Sequence, residues 1–191
     1  MSVEYIVKCK IGNLVQENDT DFIVNASNTV LMLGSGVSMA FSKHCGNKLQ
    51  LEMNQLLSEI HETGYKLKKG DVVPSSSVGA SNFKHALHVA VLDYNSGVNY
   101  KDKKPMLCDI DSALHNIEKI IVEYAKLHHR ANVSLVMPLI GCGFGGLDKK
   151  EVIKLYKDFF SNENQYTKII CQVTICCTND NDLKLIIDVM S

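Results

Sequence analysis

Ile23-Val-Asn-Ala-Ser-Asn28, followed closely by Leu33-Gly-Ser-Gly-Val-Ser38, reads as an apolar strand that breaks into a polar, glycine-interrupted loop and restarts as a helix. The first N–H groups of a helix lack intrahelical partners and its dipole favours negative charge there, so a loop of this kind at the carboxyl end of a strand suits a phosphate. A second glycine-rich loop, Gly141-Cys-Gly-Phe-Gly-Gly146, follows the apolar run Ser134-Leu-Val-Met-Pro-Leu-Ile140. Both loops fall at the carboxyl ends of strands, where open α/β sheets bind ligands. The pair points to a phosphorylated small ligand.

Outward from these loops, the apolar period alternates between about two and about 3.6 residues. Val3, Tyr5, Val7, Cys9 and Ile11 alternate with Glu4, Lys8 and Lys10, which predicts a half-exposed strand at or near a sheet edge. Phe22 to Val24 is continuously apolar, as a strand covered on both faces would be. Val37, Ala40, Phe41, His44 and Cys45 keep helical spacing up to Gly46, and Leu49, Met53, Leu56, Leu57 and Ile60 form a second stripe up to Gly64. Val72 to Val78 fits a strand poorly because of Pro74 and the serines after it, whereas Ala86 to Leu92 fits one well. Asp93 to Lys104 reads as a loop. Ile110, Leu114, Ile117, Ile121 and Tyr124 mark one helix face, and Val152, Leu155, Tyr156 and Phe159 another. Ile169 to Cys177 is the last strand, and Asn179 or Asp180 caps a final helix carrying Leu183, Ile186, Ile187 and Met190.

The order β, β, α, α, β, β, α, β, α, β, α implies an α/β fold with a mixed, largely parallel sheet and helices on both faces. No repeat, linker or low-complexity tract divides residues 1–191, so a single domain is expected. Twenty Lys and Arg nearly balance 21 Asp and Glu, which removes the bulk positive field that nonspecific nucleic-acid binding needs. The N-terminal residues lack the plan of a signal peptide and no apolar run reaches the length of a membrane span, so no membrane attachment and a cytoplasmic or nuclear location are expected. Seven cysteines, several inside apolar runs (Cys9, Cys171, Cys176, Cys177), read as reduced core residues. With no Cys-x-x-Cys pairing, and His85 and His88 without obvious partners, no metal site is expected.

Two common phosphate motifs are excluded. A dinucleotide fingerprint would require glycine where Met39 stands after Gly34-Ser-Gly36, and no Gly-Lys-Ser/Thr exists for a Walker loop. What remains is Gly12-Asn-Leu14, Ile23-Val-Asn-Ala-Ser-Asn28, Gly34-Ser-Gly-Val37 with the helix to Cys45-Gly46, His88 in Leu87-His-Val-Ala-Val91, and Pro138-Leu-Ile-Gly-Cys-Gly-Phe-Gly145. In order and over nearly the whole chain, this set resembles the macro domain, the three-layer α/β/α fold that binds ADP-ribose.

The resemblance implies a role for each matched residue. Asn13 and Leu14 lie at the adenine end, where the family usually carries an aspartate at the position of Asn13; asparagine can still accept a hydrogen bond, without charge assistance. Ala26 and Asn28 lie at the distal ribose, which Asn28 would bind and orient as the catalytic residue. Gly34, Ser35, Gly36 and Val37 match the loop that holds the diphosphate. Gly141, Cys142, Gly143, Phe144 and Gly145 match the loop that closes from the other side. The implied ligand is ADP-ribose or an ADP-ribosylated protein, bound by a monomer with no cofactor. The implied activity is removal of mono-ADP-ribose from proteins, with a non-catalytic reader and a hydrolase of ADP-ribose 1''-phosphate or O-acetyl-ADP-ribose as alternatives.

Ser38 and Ser42 stand about where one hydrolase subfamily carries an aspartate and a histidine, and neither hydroxyl is a base near neutral pH. Any hydrolysis would then rest on a water held between the ligand's own phosphate and ribose. Asn25 and His88 read as buried structural residues rather than ligand contacts. Cys142 lacks the flanking glycine spacing of a nucleophile elbow, because Ile140 and Phe144 occupy those places. Phe144 either covers the distal ribose or packs beneath its loop.

Overall fold

The computed structural model describes residues 2–34, 36–95, 97, 99, 102–161 and 168–191. Among the described residues, six strands form one sheet: β1 (Ser2–Ile11), β2 (Thr20–Asn28), β3 (Val72–Ser76), β4 (Phe83–Leu92), β5 (Asn132–Met137) and β6 (Lys168–Cys177). Five helices among the described residues accompany them: α1 (Val37–Cys45), α2 (Asn47–Glu62), α3 (Leu107–Leu127), α4 (Lys149–Phe160) and α5 (Asp180–Met190). The order across the sheet is β1-β6-β5-β2-β4-β3, parallel throughout except that β3 runs antiparallel to β4.

Every expected element is present, with shifted ends. β1 occupies an edge, and its alternation is visible as half-buried Tyr5, Val7 and Cys9 against exposed Glu4, Ile6 and Lys8; Ile11, expected inward, is exposed at the strand end. The run 72–78 does form a strand over Val72–Ser76, at the opposite edge, where Pro74 has a neighbour on one side only. β2 extends several residues beyond the expected 22–24, and β5 stops at Met137, before Pro138. A single 3-10 turn at Leu14–Gln16 carried no periodic signal.

The apolar residues separate into two layers. On one face Phe22, Val24, Leu87, Val89, Leu135 and Val173 pack against α3, α4 and α5 through residues such as Ile110, Ile117, Tyr156 and Ile186. On the other, Ile23, Val73, Ala86 and Val136 pack against α1 and α2 through Phe41, Leu49 and Met53. β2, β4, β5 and β6 are apolar on both faces because both are covered. Cys171, Cys176 and Cys177 are buried free thiols. Among the described residues, no helix is long and apolar enough to cross a membrane.

This topology decides where a ligand can enter. β5 and β2 are neighbours, yet the chain leaves β2 toward α1 on one face and leaves β5 toward α4 on the other. Their pairing covers Phe22↔Leu135 and Ile23↔Val136, beyond which the two chains run on into the two glycine-rich loops. Connections that diverge from adjacent parallel strands leave a crevice at their carboxyl ends.

Candidate functional site

The crevice is a cavity of about 230 Å³ with three walls. Ala26, Ser27 and Asn28 at the end of β2 form its floor; Gly34, Gly36, Val37 and Ser38 form one side; Leu139, Gly141, Gly143, Phe144 and Gly145 form the other. Val91, Leu92 and Tyr94, at the end of β4, close it together with Met32. No described residue in this lining carries a formal charge, so the polar character of the walls comes from backbone, hydroxyl and amide groups.

The floor is organised by Asn28. Its Oδ1 accepts from the N–H groups of Val30 (3.2 Å) and Met32 (3.1 Å), and its Nδ2 donates to the Met32 carbonyl (2.9 Å). The amide is 8% exposed, and among the described residues one N–H of Nδ2 stays uncommitted. The turn it folds places Leu31 at φ 49° and is held from outside by Gln50 of α2, which accepts from Leu33 N (2.7 Å) and donates to the Leu31 carbonyl (3.0 Å). Thr29 staples this turn to the β4 end: its hydroxyl donates to Asp93 (3.1 Å) and accepts from Tyr94 N (2.9 Å).

Beside the floor a buried polar chain runs beneath the start of α1. Ser38 donates to Asn25 Oδ1 (2.9 Å) and the Ala26 carbonyl (3.0 Å), Asn25 Nδ2 meets His88 Nδ1 (3.0 Å), and His88 Nε2 meets Ser75 Oγ (2.8 Å). An amide nitrogen only donates, so His88 Nδ1 accepts, the ring proton sits on Nε2 and donates to Ser75, and Ser75 passes its own proton to the Ser76 carbonyl. Burial pushes His88 down to about 3, so it stays neutral. Asn25 and His88 are therefore structural, although Asn25 spends its amide on side chains rather than on backbone. Ser38 is a fixed link in this chain and no base.

α1 starts at Gly36 with φ 58° and ψ −130°, a conformation that a β-carbon would strain, and no side chain caps the helix. Among the described residues its first-turn N–H groups have no side-chain partner, and Val37 and Ser38 of that turn line the cleft. The opposing loop is tightly wound: Leu147 N bonds to the Gly141 carbonyl (3.1 Å), and a β-carbon on Gly145 would collide with that carbonyl oxygen and lie 2.9 Å from Pro105 Cγ. Tyr156 of α4 anchors the entry to this loop, accepting from Ile140 N (3.0 Å) and donating to the Pro138 carbonyl (3.0 Å). Phe144 is 70% exposed at the cleft mouth, about 4.0 Å from where a β-carbon on Gly36 would stand, so it does not pack beneath its loop.

Of the residues singled out from the sequence, Ala26, Asn28, Gly34, Gly36, Val37, Gly141, Gly143, Phe144 and Gly145 are brought together in this lining, while Ser35 lies outside the described residues. Cys142 is half-buried beside the cavity rather than in its lining. Its Sγ rests 3.9 Å from the Ile140 carbonyl, and burial, helped by Asp148 and Asp182 against Lys149, pushes the thiol up to about 11. That protonated thiol is a poor nucleophile. Asn13 caps the 3-10 turn, its Oδ1 accepting from Val15 N at 3.4 Å, and faces an adjoining depression that shares Gly36 with the cleft and includes Gln16, Lys43 and His44. Leu14 is buried, which leaves its backbone to any ligand.

Ser27, Gln50, Thr29, Tyr94 and Tyr156 were not singled out from the sequence. Tyr94 carries the one available signal, its place just after a strand's carboxyl end; Tyr156 reads as an ordinary member of an apolar stripe. Among the described residues no group of three or more His, Cys, Asp or Glu side chains is placed to hold a metal ion.

Comparison with known proteins supplies the context. Residues 24–156 match the family model of the macro domain. An Oceanobacillus iheyensis macrodomain variant with ADPR superposes with a TM-score of 0.71 at 18% identity, covering 96% of this chain and 91% of the other. The Trypanosoma brucei macrodomain in complex with ADP gives 0.69 at 15% identity over 98% of this chain and 69% of that one. The macrodomain of Mycobacterium tuberculosis DarG gives 0.62 at 18% identity over 88% and 97%. Among curated proteins nothing matches the sequence.

Proposed function

The chain belongs to the macro domain family, and from that premise we propose that its cleft binds ADP-ribose, free or attached to protein, and removes mono-ADP-ribose from modified proteins. One observation carries the binding reading: an uncapped helix start and a glycine loop that tolerates no β-carbon at Gly145 face each other across a cavity with no charged side chain among the described residues. Such walls offer backbone N–H groups to a diphosphate without competing acidic side chains. The adenosine half lies toward Asn13 and the distal ribose toward Ala26, Asn28 and Phe144. That solved relatives carry ADPR or ADP adds to this reading.

For hydrolysis the ligand supplies the base. Water attacks C1'' of the distal ribose, the bond to the protein side chain breaks with its electrons leaving on that side chain, and the water's proton passes to a phosphate oxygen. Asn28, through its uncommitted N–H, holds the ribose in line. A second reading, a reader without activity, is favoured by Ser38, whose one proton is shared between Asn25 Oδ1 and the Ala26 carbonyl where a hydrolase carboxylate would stand.

Calorimetry with ADP-ribose tests binding: heat of a one-to-one complex is expected, and its absence at millimolar ligand removes the whole reading. Incubation with a mono-ADP-ribosylated transferase tests hydrolysis. Released ADP-ribose that falls at least tenfold in Asn28→Asp, with binding reduced less, supports the catalytic role. Aspartate keeps the acceptor oxygens for Val30 N and Met32 N, two of the three hydrogen bonds that hold the turn. Label unchanged at high protein concentration leaves the reader. Parallel incubations with ADP-ribose 1''-phosphate and O-acetyl-ADP-ribose separate the hydrolase alternatives.

A further inference from the structure

Ser27 forms part of the cleft wall, is 4% exposed, and its buried Oγ has no hydrogen-bond partner among the described residues. A buried hydroxyl with neither donor nor acceptor is a standing cost in the free protein, so its presence calls for an explanation. Its position supplies one. Side chains alternate along β2, which puts Ser27 on the face that Asn25 uses to reach Ser38 of α1, one step closer to the cleft. The register with β4 shifts directly after it, where Ser27 pairs with Ala90 but Asn28 with Leu92, a bulge at the point where the strand meets the cavity.

The helix start on the adjoining wall is the second feature. α1 has nine residues, begins at Gly36 without a side-chain cap, and contributes Gly36, Val37 and Ser38 to the lining that Ser27 shares. An anion drawn to those N–H groups brings acceptor oxygens to this wall, and serine needs to turn only one side-chain torsion to meet them. A hydroxyl bonded to a phosphate oxygen is charge-assisted and stronger than a neutral pair.

We infer that Ser27 is a ligand-binding residue whose hydroxyl donates to a phosphate oxygen of a nucleoside diphosphate held against the start of α1. The inference rests on the ADP-ribose reading of the cleft. It assigns Ser27 a contact that exists only in the complex: the group has no partner among the described residues and gains one when the diphosphate is bound. Removing it should therefore have opposite consequences for free and bound protein.

Ser27→Ala and Ser27→Cys test this, the second keeping the branching of the side chain, with a slightly larger atom, while replacing the hydroxyl by a weak donor. Without ligand, the midpoint of thermal unfolding of Ser27→Ala should equal or exceed that of the wild type, since the deleted group has no partner among the described residues. Calorimetry should show affinity for ADP-ribose and for ADP falling about tenfold in both variants, equivalent to about 1.4 kcal/mol. Unchanged affinities overturn the inference, as does a loss confined to ADP-ribose, which would place the contact on the distal ribose. A lower unfolding midpoint for free Ser27→Ala also overturns it by showing that the hydroxyl already serves the fold. If the wild type binds neither ligand, the ADP-ribose reading falls and takes this inference with it; if it binds both and the variants match it, only the role of Ser27 falls.

Discussion

Tyr156→Phe removes one oxygen atom from the core and should be felt at the second glycine loop. The Tyr156 hydroxyl accepts from Ile140 N and donates to the Pro138 carbonyl, each at 3.0 Å. Tyr156, Pro138 and Ile140 are all buried, so water cannot replace it at either backbone group. Phenylalanine keeps the ring and its edge contact with Phe160 at 5.7 Å, which confines the change to the two hydrogen bonds. Each net bond is worth about 1 kcal/mol, and leaving a buried group unpaired costs about 1–3 kcal/mol. With some relaxation of the 138–140 segment, the total should be about 2–4 kcal/mol. For a domain of this size about 2–4 °C accompanies each kcal/mol, so unfolding should shift down by roughly 4–16 °C. Urea titration followed by circular dichroism measures the free energy, and calorimetry with ADP-ribose measures the consequence for the loop, expected as a clear loss of affinity. A destabilisation below about 0.5 kcal/mol would refute the anchor, because surface-like substitutions already fall in that range.

Two further outcomes follow from titratable groups. Burial alone would raise Asp21, but hydrogen bonds from Lys84 and Ser134 N and the charges of Lys84 and Arg130 outweigh it and hold the carboxyl below its ordinary value. Its contribution is therefore present above the unfolded carboxylate pKa of about 3.9 and is lost as pH falls through the lower folded value. Asp21→Asn should lower stability at pH 7 by about 1–2 kcal/mol, discounted because Lys84 is half-exposed, and should flatten the acid limb of stability against pH; an unchanged limb in urea titrations contradicts it. Cys142, with its thiol pushed up to about 11, should react slowly with iodoacetamide at pH 7, and Cys142→Ser should keep ligand affinity within about threefold, or about 0.6 kcal/mol. Rapid alkylation blocked by ADP-ribose would return a nucleophile to consideration.

Among the described residues the cleft lining carries no charged side chain, and its polar groups are backbone, hydroxyl and amide. Two glycine loops line it, and side chains hold those loops in place: Asn28 and Gln50 for the first, Tyr156 for the second. Asn28 spends both lone pairs of Oδ1 and one N–H on its own turn, so the residue expected to touch ligand is first a piece of architecture with a single donor to spare. Ser38 shows the converse. It stands where a hydrolase carboxylate is expected and instead closes a chain that reaches through His88 to the edge strand β3.

The alternation of β1, the doubly apolar runs of β2, β4, β5 and β6 and the four-three stepping of α3 depend on which face each residue buries, and burial period is written residue by residue in the sequence. For the same reason the order of elements, and with it the two-faced parallel sheet, was legible, as were both glycine loops through their composition. Strand ends were less so: the extension of β2 past Val24 and the stop of β5 before Pro138 are set by pairing with neighbouring strands, which no local period records. Partner choice was not legible at all. That Tyr156 would hold Ile140, that Gln50 would hold Leu33, and that Ser27 would be left unpaired arise where segments far apart in the chain converge, and a hydrogen bond is decided by the few tenths of an ångström at that meeting. The sequence determined two phosphate-suited loops on a parallel sheet; only the tertiary structure decided that β2 and β5 lie side by side, because the crevice between the loops exists through that adjacency.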